Sequence, residues 1–152
     1  MATPEERLAE LGLSIPDVPA PVAAYVPAVR TGNHVFTSGQ LPMRDGQLLQ
    51  TGKVGGEVTQ EEAVECARQC GLNALAAVRA QIGSLDAIKR VVKVVAFVAS
   101  TPDFTAQPLV ANGVSELLGD VFGEVGRHAR SAVGVPVLPL DAPVEVELMV
   151  EV

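Results

Sequence analysis

The last nine residues alternate. Val144, Val146, Leu148, Val150 and Val152 are apolar, and Glu145, Glu147, Met149 and Glu151 fall between them. A period of two sends the two sets to opposite faces of a β-strand spanning 144–152, with the valines toward a core. Upstream, "AIKRVVKVVAFVAS" near 87–100 is β-branched and almost continuously apolar, the pattern of a strand in the middle of a sheet. Between these runs and the start of the chain the period changes. Val64, Ala67, Gly71, Leu75, Val78 and Ile82 follow helical spacing over 60–82, Thr59 and Glu62 form a capping box before them, and Gly83 stops the helix. A second helix, 105–121, is expected to turn Leu109, Val110, Val114, Leu117, Leu118 and Val121 inward, with Gly123 beyond its end.

The remaining segments are shorter. "TPEERLAELGL" reads as an N-terminal helix with Thr3 as N-cap, Pro4 in the first turn and Glu6 completing a capping box. Leu8, Leu11 and Leu13 give it an apolar side, and the prolines of "SIPDVPAP" make an extended connector. Residues 22–30 and 34–39 read as two strands of a hairpin around "TGN", with Pro27 confining the first to an edge or a bulge. "RDG" at 44–46 marks a turn, and "TGKVGGEV" a glycine-rich loop. "SAVGVPVL" at 131–138 is expected to pair antiparallel with the terminal strand around "LPLDAP". The order β-β-α-β-α-β-β predicts an α+β fold, a mixed β-sheet with two helices on one face. Residues 1–19 form the helix and connector, and residues 20–152 a single domain. The helices cover one face only, so self-association is expected to cover the other.

Composition narrows the picture. A chain of 152 residues with 48% hydrophobic and 19% charged residues forms one folded domain, and 3% aromatics means an aliphatic core. A net charge of -7 argues against nucleic acid or an anionic membrane as partner. "MATPEERLAELGL" has no apolar signal region and no run is long enough to span a membrane, so the expected location is cytoplasmic. Cys66 and Cys70, four apart on the long helix, read as packing residues, with no metal site in view.

Against this acidic background, "GRHARSAVG" places Arg127, His128 and Arg130 within four positions. A guanidinium fork binds a carboxylate through two parallel hydrogen bonds, which Lys cannot imitate. Glu145, Glu147 and Glu151 share one strand face; a solvated surface is one reading, and a glutamate facing a pocket as a base that orients water is the other. Ser38 has no evident His–Asp partners for a triad. In the expected hairpin, Arg130 lies away from Glu145, and a bend or a second subunit is needed to bring them together.

Taken together, "YVPAVRTGNHVFTSGQLP", "GLNALAAV", "VVKVVAFVASTPDF", "VANGVSELL" and "RHARSAVGVPVLPLDAPVEVELMVEV" resemble the Rid (YjgF-type) family of imine/enamine deaminases from about Ala20 onward. The resemblance implies a chorismate-mutase-like fold and a homotrimer with sites in intersubunit clefts. It implies cofactor-free hydrolysis of 2-imino or 2-enamino acids to 2-oxo acids and ammonia. By the same resemblance Arg130 holds the substrate carboxylate and Glu145 positions water. Tyr25, Ser38, Gly39, Asn112 and Ala132 occupy the family's substrate-binding positions, Ala132 where many members have Cys. His128 receives no role. The alternative is a non-catalytic protein that binds small carboxylates such as 2-oxo acids; ribonuclease activity is disfavoured by the charge and the scarcity of aromatics.

Overall fold

A computed structural model describes residues 1–20 and 23–152. Val22, in the expected first strand, lies outside the described residues. The chain runs α1 (Pro4–Glu10), β1 (Ala28–Thr31), β2 (His34–Thr37), β3 (Met43–Arg44), β4 (Gln47–Leu48), α2 (Gln60–Ile82), β5 (Arg90–Ala99), α3 (Gln107–Phe122), β6 (Ala129–Val135) and β7 (Val144–Glu151). Five strands form one mixed sheet in the order β1-β2-β7-β5-β6, and β3-β4 is a separate two-stranded hairpin turned at "RDG". The α+β expectation is met, including both capping boxes, Thr3 with Glu6 and Thr59 with Glu62.

The antiparallel hairpin expected from 131–138 and 144–152 does not form. β6 pairs parallel with β5, and β7 pairs antiparallel with the other edge of β5 and with β2. β5 is apolar on both faces and accepts a neighbour on each edge, while α3 supplies the crossover that a parallel pair needs. After β6 the chain crosses the end of β5, tied by Ser100 N–H to Val135 O at 3.0 Å and Ala99 N–H to Pro143 O at 2.9 Å.

Smaller differences have local causes. The first strand starts at Ala28 rather than 22, because Pro27 has no N–H to give a ladder. Leu109 was expected inward but is 50% exposed; it sits in the first turn of α3, and the buried stripe begins at Val110. Leu11 is the C-cap of α1 and is also exposed, whereas Leu8 is 1% exposed.

The core lies between α2, α3 and one sheet face. Val91, Val94, Ala96 and Val98 of β5 and the even-numbered residues of β7 are buried there. A Cβ at Gly113 would run into the backbone carbonyl of Val64, so glycine lets α3 press directly on α2. α1 joins the same core through Leu8 and is pinned by Arg7 Nη1 to Val121 O at 3.4 Å and by an Arg79–Glu5 ion pair at 2.6 Å.

Among the described residues no helix covers the opposite sheet face. Its cross-strand rows are Val29–Phe36–Met149, Ser131–Val95–Glu147 and Val133–Phe97–Glu145, with Val29, Phe36 and Val133 exposed. Among the described residues no helix is long and apolar enough to cross a membrane.

Candidate functional site

The sheet register separates the candidate residues into two groups. Glu145 stands opposite Phe97 on the open face. Arg130 stands opposite Val94, which in turn opposes Leu148, on the helix-covered face. Within one chain, therefore, the two residues lie on opposite sides of the sheet. The altered strand pairing does not join them either.

Around Glu145 the β2–β7 ladder is interrupted. Phe36 pairs with Met149, but Gln40 next bridges Val146, which places one extra residue on the β2 side. Thr37 Oγ1 spans the gap by accepting from Leu148 N–H at 2.9 Å, and two Gln40–Val146 backbone bonds of 2.7 and 3.0 Å restore the pairing. Such a bulge redirects the chain locally. Here it lays Gly39 against the Glu145 side chain, where a Cβ would overlap the carboxylate. Ser38 closes the turn: its Oγ donates to Val26 O at 2.6 Å and its N–H to Pro27 O at 2.8 Å. Ser38 is thus tied to the loop that carries Tyr25, and its hydroxyl is spent on a backbone carbonyl rather than on a triad partner among the described residues.

A pocket of about 70 Å³ opens here, lined by Tyr25, Pro27, Gly39, Gln40, Leu41 and Glu145 with Pro19, Ala20, Met43 and Pro139. Burial raises the Glu145 carboxyl above its ordinary value, and the Glu147 carboxylate raises it further. A half-buried carboxyl whose proton affinity is raised, standing beside a pocket, has the chemistry of a candidate base toward water. The pocket floor is held from α2. Buried Asn73 Nδ2 donates to Leu41 O and Met43 O, both at 3.0 Å, while its Oδ1 accepts from Gln69 Nε2 at 3.1 Å. Arg44 Nε in turn donates to Gln69 Oε1 at 3.2 Å.

The second group lies between β6 and α3. Arg130 Nη1 donates to Asn112 Oδ1 at 2.8 Å and to Ser115 Oγ at 3.1 Å, and Nη2 donates to Pro108 O at 3.3 Å. Asn112 therefore orients the arginine. Ala132 shares the Arg130 face, opposite Ala96, and packs against the core. His128 meets Ser115 Oγ at 2.9 Å through Nε2 and Gly126 O at 2.6 Å through Nδ1. Arg127 turns to solvent, 3.7 Å from Glu124. The basic cluster thus divides into a solvated Arg127 and a bonded His128–Ser115–Arg130 chain.

Sequence reasoning did not single out Ser115 or Gln40. Ser115 lies one helical turn beyond Asn112, so Asn-x-x-Ser on α3 was the available signal. Burial pushes the Cys66 thiol up to about 12 and raises Cys70 well above its ordinary value, which suits packing rather than nucleophilic roles. Among the described residues no group of three or more His, Cys, Asp or Glu is placed to hold a metal ion.

Comparison with known proteins places these features in a family context. Residues 5–152 match the family model described as "YjgF/chorismate mutase-like, putative endoribonuclease". The chain is 47% identical over 146 residues to protein TCP17 of Trypanosoma cruzi, covering 95% of this chain and 91% of that protein. It is 34% identical over 139 residues to a 2-iminobutanoate/2-iminopropanoate deaminase of Dermatophagoides farinae, covering 91% and 93%. A crystal structure of a protein of unknown function from Agrobacterium tumefaciens superposes with a TM-score of 0.92 at 47% identity, covering 98% of this chain and 92% of that one.

Proposed function

The chain belongs to the YjgF/chorismate mutase-like family, and we propose that it hydrolyses reactive 2-imino or 2-enamino acids to 2-oxo acids and ammonia without a cofactor. The observation that carries this reading is the Glu145 pocket, with a carboxyl raised by burial and seated against Gly39 where a side chain would displace it. The D. farinae relative named as an imine deaminase supports the same chemistry.

The reaction asks little of the protein. The C2 carbon of a protonated imine is already electrophilic, so holding the carboxylate and aiming a water supply most of the catalysis. In the proposed mechanism Glu145 takes a proton from water as its oxygen bonds to C2. Glu145 returns that proton to the carbinolamine nitrogen, and as the C–N bond breaks and ammonia leaves the carboxylate takes the hydroxyl proton, so that C2 becomes a carbonyl. Arg130 binds the substrate carboxylate, with Asn112 orienting it, and Tyr25, Ser38, Gly39 and Ala132 shape the cleft.

Arg130 and Glu145 face opposite sides of one sheet, so this mechanism requires two subunits to share a site. We assign the shared site to a homotrimer, a reading supported by the exposed Val29, Phe36 and Val133 on the uncovered sheet face. A non-catalytic 2-oxo-acid binder is the second reading, favoured by Ala132 in place of the cysteine common in deaminases of this type. The endoribonuclease of the family description has less support, because the chain carries a net charge of -7 and 3% aromatics.

The test measures ammonia and 2-oxo acid released from imines made in situ by an amino-acid oxidase. Hydrolysis faster than the spontaneous rate, lost in Glu145→Ala and in Arg130→Ala, is the expected result. A rate equal to spontaneous hydrolysis for every side chain tried overturns the enzyme reading. Retained 2-oxo-acid binding that Arg130→Ala removes would then establish the binder.

A further inference from the structure

We propose that Ser115 and His128 are positioning residues for Arg130, fixing its guanidinium so that one edge stays open to a carboxylate. The proposal rests on the reading of Arg130 as the carboxylate fork.

The hydrogen bonds around Arg130 form a connected chain. Gly126 O only accepts, so His128 carries a hydrogen on Nδ1 in their 2.6 Å contact. Arg130 Nη1 only donates, so Ser115 Oγ accepts from it at 3.1 Å. His128 Nε2 lies 2.9 Å from the same Ser115 Oγ and holds it in place. The chain of contacts runs from Arg130 through Ser115 and His128 to the Gly126 carbonyl. Asn112 Oδ1 takes the second Nη1 hydrogen and Pro108 O takes one from Nη2.

Three of the five guanidinium N–H groups are thereby committed to α3. The Nε–H and the remaining Nη2–H have no acceptor among the described residues. Nε and Nη2 flank the side-on edge of the guanidinium, and two parallel bonds from such an edge are what a carboxylate accepts. Arg130 also lines an open depression, together with Ser115, Gly119, Gly126, Arg127 and His128. Gly119 has open space where a side chain would stand, whereas Gly126 lets the turn press against the Leu118 carbonyl. A long, rotamer-rich side chain ordered in the free protein loses less freedom when it binds. The anchoring of Ser115 by His128 is what a lone serine on a helix would lack, since its hydroxyl would otherwise turn to any neighbouring carbonyl.

The test titrates 2-oxobutanoate into the full-length protein by calorimetry and measures imine turnover in parallel. Ser115→Ala and His128→Asn are expected to raise Kd about tenfold, the size of one lost bond to a charged group. KM should rise with Kd while kcat changes little. Ser115→Thr keeps the hydroxyl and His128→Gln keeps a group in the place of Nε2, so both should bind nearly as the parent does. Wild-type Kd in Ser115→Ala and His128→Asn, alongside weakened binding in Arg130→Lys, overturns the positioning role and leaves the carboxylate site standing. Equal losses in the Ala and Thr variants, with matching falls in melting temperature, overturn it as mere structural support. Unchanged binding in Arg130→Lys overturns the carboxylate reading and this proposal with it.

Discussion

Gly39 lies so close to Glu145 that a Cβ at position 39 would fall on the carboxylate. The contact is with the flexible end of the glutamate, and Gly39 is not at a positive φ. Gly39→Ala should therefore fold with a melting temperature near the parent's, while the carboxylate is driven from its place. A displacement of that kind costs roughly 100-fold in kcat/KM for a positioned base. Steady-state imine hydrolysis beside thermal unfolding checks both halves; full activity in a well-folded Gly39→Ala would remove Glu145 from the mechanism in this pose.

The raised carboxyl of Glu145 also has a stability consequence. Its folded value lies above its unfolded one, through burial first and Glu147 second. In the window between the two values the native state holds a proton that the unfolded chain has released, so this contribution falls as pH rises through the folded value. Above that window the ionised group weighs against the fold, and Glu145→Gln removes the charge. Its melting temperature should exceed the parent's at pH 7.5, with the gain vanishing below about pH 4, the ordinary glutamate value. An equal gain at both pH values would make it a packing effect.

How far the sequence carried this picture depends on the kind of signal. α2 was legible to the residue at both ends because Thr59, Glu62 and Gly83 act locally. β7 was legible because its alternation is a one-dimensional pattern. The pairing of β6 was not, since β5 is apolar on both faces and offers two backbone edges, and sequence does not say which strand takes which. The bulge at residues 37–40 was hidden for a related reason: register is a relation between two strands. Arg130 and Glu145 emerged from a family resemblance, whereas their separation by the sheet required coordinates. Ser115 carried no mark of its own until Arg130 was seen to reach it.

Asn73 was one visible anomaly, a polar residue in the apolar run "GLNALAAV". It is fully buried and holds Leu41 O and Met43 O under the Glu145 pocket. Asn73→Leu has similar volume but leaves those acceptors without that donor. The expected loss is about 3 kcal/mol of stability, from buried acceptors left without partners. Urea unfolding checks it, and a change below about 0.5 kcal/mol, within the range of ordinary surface substitutions, would mean water replaces the amide.

Leu8 tests whether α1 is part of the domain or an appendage. The residue is 1% exposed and belongs to the same buried cluster as α2, α3 and the sheet. Leu8→Ala should cost about 3 kcal/mol, the transfer of the lost methylenes plus an incompletely filled cavity. The neighbouring Arg79–Glu5 pair is partly exposed and contributes little, so Glu5→Gln should change stability by less than about 1 kcal/mol. If α1 is integral, Leu8→Ala lowers the single unfolding midpoint seen by every probe. If it is an appendage, the midpoint of the rest stays fixed and only the helix signal from the N-terminal segment is lost.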